Sequence, residues 1–158
     1  MQTVFAEIDD RDLWDNAESV SGPRLTLAQT TVIRDRLPVL LREIKAGALL
    51  DVPCGDFNWM KEVDLGIERY IGADVVPELI KRNQQQYGSS TRSFIHLDLT
   101  QDQLPEVDLI LCRDCLLHFS EKAIFRALRN LKKSRSKYLL TTTFPNTANW
   151  SSPANVDS

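Results

Sequence analysis

The sequence predicts an α/β fold in which a doubly wound, mainly parallel sheet lies between two layers of helices. The first observation is that five short apolar runs alternate with longer segments of helical apolar spacing. The second is that an acidic residue stands at or near the end of the first four runs. Strands that alternate with helices form right-handed crossover units and therefore a parallel sheet. We expect the strand order 3-2-1-4-5.

Length and composition indicate one folded domain. The chain has 158 residues, of which 42% are hydrophobic and 26% are charged, as is typical of folded proteins. A net charge of -3 and a pI near 5.4 argue against a nucleic-acid partner. No apolar run approaches the length of a membrane span, so no membrane partner is expected. The odd count of 3 cysteines and an acidic N-terminus without signal-peptide features favour the reducing cytoplasm.

Three parts are expected along the chain. Residues 1–24 are polar and acidic and form an N-terminal arm with Trp14 as its main apolar anchor. Residues 25–145 contain the alternating runs and form the folded domain. Residues 146–158 are polar, contain proline and form a loose C-terminal tail.

The first helix and the first strand lead into the turn around which the chain is organised. The helix begins near Thr26, which starts a capping box, and ends at Gly47. Pro38 falls inside this helix and is expected to kink or split it. Strand 48–53 follows, and Asp56 is expected to cap a short helix after it.

The remaining elements repeat the strand–helix unit. A second helix is predicted to begin at Pro77 and to end at Gly88. A third is capped by Ser120 and extends to about Leu131, with Leu128 among its inward residues. The other strands are predicted at 70–75, 93–99, 107–112 and 138–144.

The acids at the strand ends predict a ligand site. In an open α/β sheet, ligands bind outside the carboxyl ends of the strands, where the strand order reverses. Asp74 lies 23 residues after Asp51, which suits a carboxylate that accepts hydrogen bonds from ribose hydroxyls. Any one of these acids, considered alone, is more simply interpreted as a helix cap or a turn residue. The four acids are Asp51, Asp74, Asp98 and Asp114.

The turn after the first strand favours a nucleoside without phosphates. A dinucleotide site needs three glycines that let the backbone approach the pyrophosphate. In this turn Phe57 fills the last glycine position, and Asp56 would repel a pyrophosphate. The missing glycines therefore argue against a nicotinamide-dependent oxidoreductase.

Four segments together resemble the motifs of class I S-adenosylmethionine-dependent methyltransferases. Residues 50–56 (LDVPCGD) are similar to the first motif, with proline where glycine is usual, and residues 72–76 (GADVV) to the second. Residues 96–99 (HLDL) and 107–113 (VDLILCR) are similar to the third and fourth. The resemblance covers roughly residues 25–144. It implies a Rossmann-like fold, S-adenosyl-L-methionine as the cofactor and methyl transfer as the activity.

The resemblance also implies which residues contact the cofactor. Asp51 and the backbone of residues 53–55, in the turn that follows it, would face the amino-acid end of the cofactor. Asp74 would hold the ribose hydroxyls. The third and fourth motifs would lie by the adenine and by the methionine part, where Arg24 or Arg113 would pair with the carboxylate. The implied cofactor-binding residues are Asp51, Pro53, Cys54, Gly55, Asp74, Val75, Val76, Asp98, Leu99, Cys112 and Arg113.

A methyl acceptor that carries a proton needs a base, and two residues after the fourth strand are candidates. His118 is the first choice because its unperturbed pKa lies near neutrality. Asp114 is four residues earlier, so one turn of helix would bring both to one face. The simpler reading is that His118 packs at a helix start. The acceptor is expected to be a small molecule, such as a sugar or metabolite.

The cysteines are expected to be buried thiols rather than metal ligands. Cys112 and Cys115 form a CxxC, but it follows a fourth strand and the sequence has no second such pair. We therefore expect no metal. Cys54 would lie close to Cys112 if the first and fourth strands are neighbours.

The sequence departs from the family at its C-terminal end. Class I methyltransferases usually continue with two more strands, but only about a dozen residues follow Phe144. The fifth strand would then be an open edge. The chain would be a fragment, or a homodimer partner or another subunit would cover the edge, or the tail would fold over it. A truncated domain that binds cofactor or a partner without turnover is therefore the alternative function.

Overall fold

Five strands form one parallel sheet in a computed structural model that describes residues 27–142. The strand order is β3-β2-β1-β4-β5, and each neighbouring pair is parallel, as the sequence predicts. The strands are β1 (Ala48–Asp51), β2 (Arg69–Asp74), β3 (Arg92–His96), β4 (Leu109–Cys112) and β5 (Tyr138–Thr141). Strands β1 to β3 end one to three residues before their predicted limits, β4 ends at its predicted limit, and the predicted end of the fifth strand lies outside the described residues.

Within residues 27–142, three α-helices and two 3-10 turns precede or connect the strands. The helices are α1 (Thr31–Glu43), α2 (Pro77–Tyr87) and α3 (Glu121–Lys133), and the 3-10 turns are Met60–Glu62 and Leu116–His118. Helix α1 continues through Pro38 and is not split there, and Leu37 and Leu41 are buried on either side of the proline. The expected cap at Asp56 is wrong: Trp59 precedes the short turn, and the Asp56 carboxylate accepts the Asn58 N–H instead.

One face of the sheet packs against α1 and α2. Leu37 and Leu41 of α1 and Ile80 of α2 join the inward side chains of the strands in a single core. Aromatic rings fill its centre, with Phe57 5.3 Å from Tyr70 and 5.1 Å from Phe94 between ring centroids. The ring of Phe57, in the middle of the turn after β1, therefore holds that turn against the sheet.

Helix α3 packs against the opposite face. Ala127 and Leu131 join a core that contains alternate residues of β1, β2 and β4. Ser120 caps the helix, as expected, since its Oγ accepts the Ala123 N–H at 3.4 Å. Leu128 does not face inward: it is 40% exposed, because it lies 100° around the helix from Ala127.

Strand β5 is the edge of the described sheet. Tyr138 and Leu139 are each more than two fifths exposed there, and Phe125 on α3 is 60% exposed. Within residues 27–142, none of the helices combines the length and the apolar character needed to cross a bilayer.

Candidate functional site

The carboxyl ends of the central strands bring several predicted site residues together. Asp51 ends β1 and Asp74 ends the neighbouring β2, while Arg113 directly follows β4 on the other side of β1. Strand order reverses at this place, since β1 connects to β2 on one side and pairs with β4 on the other. We call Asp51, Gly55, Asp74 and Arg113 the strand-end site.

The turn after β1 is tied to β2 by hydrogen bonds to its backbone. Gly55 has a φ of 57°, a left-handed conformation that suits glycine, and its N–H donates to Asp74 Oδ2 at 3.2 Å. The Cys54 N–H donates to the Ala73 carbonyl at 2.9 Å. Asp74 therefore positions the turn as well as lying at the carboxyl end of β2.

Asn83 of α2 holds the same turn from the other side. Its Nδ2 donates to the Gly55 carbonyl at 2.8 Å, and its side chain is only 1% exposed. Sequence reasoning did not select Asn83. An asparagine on the buried stripe of α2, one turn after Leu79 and Ile80, is the signal that would have found it.

Asp51 is a buried carboxyl group with one strong hydrogen bond. It is 2% exposed, and its Oδ2 accepts the Tyr70 hydroxyl at 2.7 Å. Its pKa is raised to about 7: burial is the largest cause and the Asp74 charge adds to it, while the Tyr70 hydrogen bond and the Arg113 charge act in the opposite direction. Sequence reasoning missed Tyr70, because only the pairing of Leu49 with Tyr70 across β1 and β2 brings its hydroxyl to Asp51.

Backbone donors orient both carboxylate oxygens of Asp74. Its Oδ1 accepts the Val76 N–H at 3.1 Å, while Oδ2 accepts the Gly55 N–H. The side chain of Val75 is half-buried, and that of Val76 is buried. Backbone donors therefore fix the carboxylate and leave it 6% exposed at the strand end.

The Asp98 carboxylate accepts hydrogen bonds from residues of its own loop. Thr100 donates to Oδ1 from its N–H at 2.8 Å and from its hydroxyl at 2.7 Å, and Gln101 Nε2 donates to Oδ2 at 2.7 Å. Partial burial raises its pKa, but these hydrogen bonds outweigh the effect and the pKa lies below its ordinary value. Leu99, the next residue, is buried in the core against α3.

The residues after β4 are arranged differently from the prediction. Asp114 has a φ of 50° and lies before the 3-10 turn that contains His118, so the two residues do not share a helix face. The expectation of one helical turn between them is wrong. Asp114 forms an ion pair with Arg113 at 3.2 Å, and the Asp114 N–H donates to Thr142 Oγ1. His118 is exposed.

All three cysteines are free thiols in the interior, as expected. Burial raises the pKa of Cys54, and the nearby charges of Asp74 and Asp51 raise it further. A hydrogen bond with Cys112, together with burial, raises the pKa of Cys115. The neutral thiol is therefore favoured at Cys54 and at Cys115. The described part of the chain contains no group of three or more residues able to hold a metal ion.

A groove lies next to the strand-end site, between α1 and the ends of β4 and β5. Its volume is about 370 Å³, and most of its lining is apolar. Arg113 belongs both to this groove and to the strand-end site. The lining residues are Gln29, Val32, Ile33, Arg36, Leu37, Leu40, Leu111, Arg113, Leu140, Thr141 and Thr142.

The chemistry of the strand-end site fits a cationic nucleoside. Two buried carboxyl groups, Asp51 and Asp74, lie on adjacent strands, and Asp51 forms no ion pair within residues 27–142. Carboxylates accept hydrogen bonds from sugar hydroxyls and attract positive charge. They would repel phosphate groups, so the residues present suit a nucleoside that carries a cation.

Comparison with known proteins supports this interpretation. A model of a methyltransferase domain matches residues 50–137, more than half of the chain. No curated protein sequence matches the chain at significant similarity.

Solved structures with similar folds include three methyltransferases. The N-methyltransferase NodS from Bradyrhizobium japonicum, in complex with S-adenosyl-L-homocysteine, is 20% identical, with a TM-score of 0.64 over 82% of this chain and 67% of NodS. CalS10 is an amino pentose methyltransferase from Micromonospora echinaspora with bound S-adenosylmethionine. It is 15% identical, with a TM-score of 0.56 over 75% of this chain and 52% of CalS10.

The methyltransferase domain of a bacterial Hen1 (CtHen1-C) is also 15% identical, with a TM-score of 0.60 over 69% of this chain. The chain spans 63% of the length of that domain. At these identities the likeness shows the fold.

Proposed function

This chain belongs to the methyltransferase domain family, whose cofactor is S-adenosylmethionine, and we propose that it transfers the cofactor's methyl group to a small-molecule acceptor. The observation that carries the proposal is the pair of buried carboxyl groups, Asp51 and Asp74, on adjacent strand ends. With Gly55 folded against Asp74, they form the part of the site that suits a nucleoside cation.

In this proposal, Asp74 accepts hydrogen bonds from the ribose hydroxyls. Its oxygens are already fixed by the Gly55 and Val76 N–H groups, so little side-chain freedom is lost on binding. Asp51 and the turn after β1 lie towards the amino-acid end of the cofactor. Arg113, held by Asp114, is the cation on that side of the site and is proposed to pair with the carboxylate of the methionine part.

Methyl transfer requires mainly alignment and exclusion of water, since the sulfonium of the bound cofactor supplies an activated methyl group. The groove beside Arg113 supports an acceptor site, because it opens next to the strand-end site and would shield an apolar acceptor from water. His118 remains the proposed base, with Asp114 nearby in sequence. His118 is exposed, so it is accessible to an acceptor approaching from solvent.

Isothermal titration with S-adenosylmethionine tests the proposal. We expect binding by the wild type and a loss of about 1–3 kcal/mol for Asp74→Ala, the range for removing a charged hydrogen-bond partner. Glu78→Gln removes an exposed carboxylate in the first turn of α2 and serves as the matched control. Absence of binding by a folded wild type would refute the assignment.

A product assay over a panel of small acceptors separates turnover from binding alone. Binding without any methylated product would favour the alternative of a domain that holds the cofactor or a partner without turnover. That a homodimer partner or another subunit covers the β5 edge also stays a prediction. Sedimentation equilibrium would show whether the chain is a homodimer. The cytoplasmic location stays a prediction as well.

A further inference from the structure

The groove between α1 and the ends of β4 and β5 combines an apolar lining with charge of one sign. Six of its eleven lining residues are aliphatic, and among these described residues none is acidic. The two charged residues are Arg36 of α1 and Arg113 after β4. A cleft with apolar walls and charge of one sign concentrates its field on a ligand of the opposite sign. The lining therefore matches an apolar ligand that carries a negative charge.

The two arginines differ in what already engages them. Arg113 pairs with Asp114 at 3.2 Å, and its guanidinium carbon lies 5.9 Å from the centre of the Trp59 ring. Its place beside the strand-end site also assigns it, in the proposed function, to the carboxylate of the methionine part. Arg36 forms no ion pair within residues 27–142. Arg36 is therefore the cation of the groove that remains for an acceptor.

Helix α1 places no carboxylate beside Arg36. Side chains three and four residues apart are neighbours on a helix surface. For Arg36 these neighbours are all apolar: Val32, Ile33, Val39 and Leu40. Arg36 is exposed and lines the groove, so a ligand that enters from solvent reaches its charge without breaking an existing ion pair.

The dimensions of the groove limit the acceptor to a small molecule. Its volume is about 370 Å³, and the wall formed by α1 extends from Val32 to Leu40. At 1.5 Å per residue this part of the helix is about 12 Å long. A benzene ring with a short acidic chain fits within that length.

Building on the proposed function, we propose that the methyl acceptor is an apolar organic acid whose carboxylate pairs with Arg36. The apolar body of the acid lies against the aliphatic lining, which includes Leu37, Leu40 and Leu140. The methionine carboxylate of the cofactor pairs with Arg113, so each of the two bound carboxylates has its own arginine. Arg36 determines which acceptor binds and takes no part in the methyl transfer itself.

Three probes that share one apolar body test the role of charge. At pH 7, 4-phenylbutyrate is an anion, 4-phenylbutanol is neutral and 4-phenylbutylamine is a cation. Each is titrated into the full chain by heteronuclear NMR, with S-adenosylhomocysteine at saturation so that its carboxylate engages Arg113. We expect the acid to bind about three- to tenfold more tightly than the alcohol, because a solvent-exposed ion pair contributes modestly. The amine should bind most weakly.

Two variants and a matched control locate the effect at Arg36. Arg36→Gln removes the charge but keeps a polar side chain, so the acid should bind no better than the alcohol. Val32→Glu, at a position that is 74% exposed, puts a carboxylate one helical turn from Arg36 and should also remove the preference. Arg42→Gln removes an exposed arginine of the same helix outside the groove and should keep the preference.

Equal binding of acid and alcohol by the wild type, or no binding of the acid, would overturn the inference and leave cofactor binding intact. A preference for the acid that persists in Arg36→Gln would overturn it too. Failure of a folded wild type to bind S-adenosylhomocysteine would instead overturn the proposed function.

Discussion

Replacing Asp51 with asparagine should make the stability of the fold less dependent on pH. The wild-type carboxyl group is buried beneath the strand ends and has a pKa of about 7, against an ordinary value of 3.8. The folded state therefore binds this proton more firmly than the unfolded state does. The contribution of Asp51 to stability is complete below about pH 4 and is lost as pH rises through about 7.

The size of the effect follows from the difference between the two pKa values. One pKa unit corresponds to 1.36 kcal/mol, so ionising Asp51 in the folded state costs up to about 4 kcal/mol. Asparagine carries no charge at any pH and retains an oxygen that accepts the Tyr70 hydroxyl. The variant should therefore gain stability relative to the wild type between pH 5 and pH 8, by a few kcal/mol.

Urea unfolding at pH 5, 6, 7 and 8 measures this gain as the difference in free energy of unfolding between the two proteins. Taking the difference removes the contribution of every other titrating group. Tyr70→Phe is an informative second variant: it deletes the hydrogen bond that lowers the Asp51 pKa in the folded state, so the fall in stability that begins near pH 4 should continue to a higher pH than in the wild type. Parallel stability curves for wild type and Asp51→Asn would refute the reasoning.

Two further substitutions test how the turn and the sheet are packed. Asn83→Ala leaves the buried Gly55 carbonyl without its donor and should cost about 1–3 kcal/mol of unfolding free energy, measured by urea unfolding; an unchanged midpoint would show that the contact is dispensable. Gly72→Ala would place a Cβ 2.6 Å from the Phe94 ring, and we expect thermal unfolding to show a loss of about 1–3 kcal/mol. Gly47→Ala is its control, since that Cβ would meet nothing closer than 3.7 Å.

The order of the sheet and the types of its elements were predictable from the pattern of apolar residues. Alternation of strands and helices allows few topologies, because crossovers between parallel strands are right-handed and connections are short. The positions of Asp51 and Asp74 at strand ends followed from the same pattern. Ser120 as a cap and Pro77 as a first helical residue were predictable because both act through neighbouring backbone atoms.

Arrangements that depend on distant contacts were not predictable in this way. Asp74 orients the turn after β1 by accepting the N–H of Gly55, 19 residues away, whereas Asp98 is engaged within its own loop by Thr100 and Gln101. The left-handed backbone at Asp114 likewise separates it from His118, although their spacing suited a helix.

Local sequence therefore accounts for the order and approximate position of the strands and for the kind of residue placed at the strand ends. The protonation of Asp51 is set by the tertiary structure. It depends on exclusion of water by the folded core and on the hydroxyl of Tyr70, 19 residues away. Burial and pairing between strands are properties of the assembled sheet. The charge state of the site follows from them and cannot be read from any one segment of the chain.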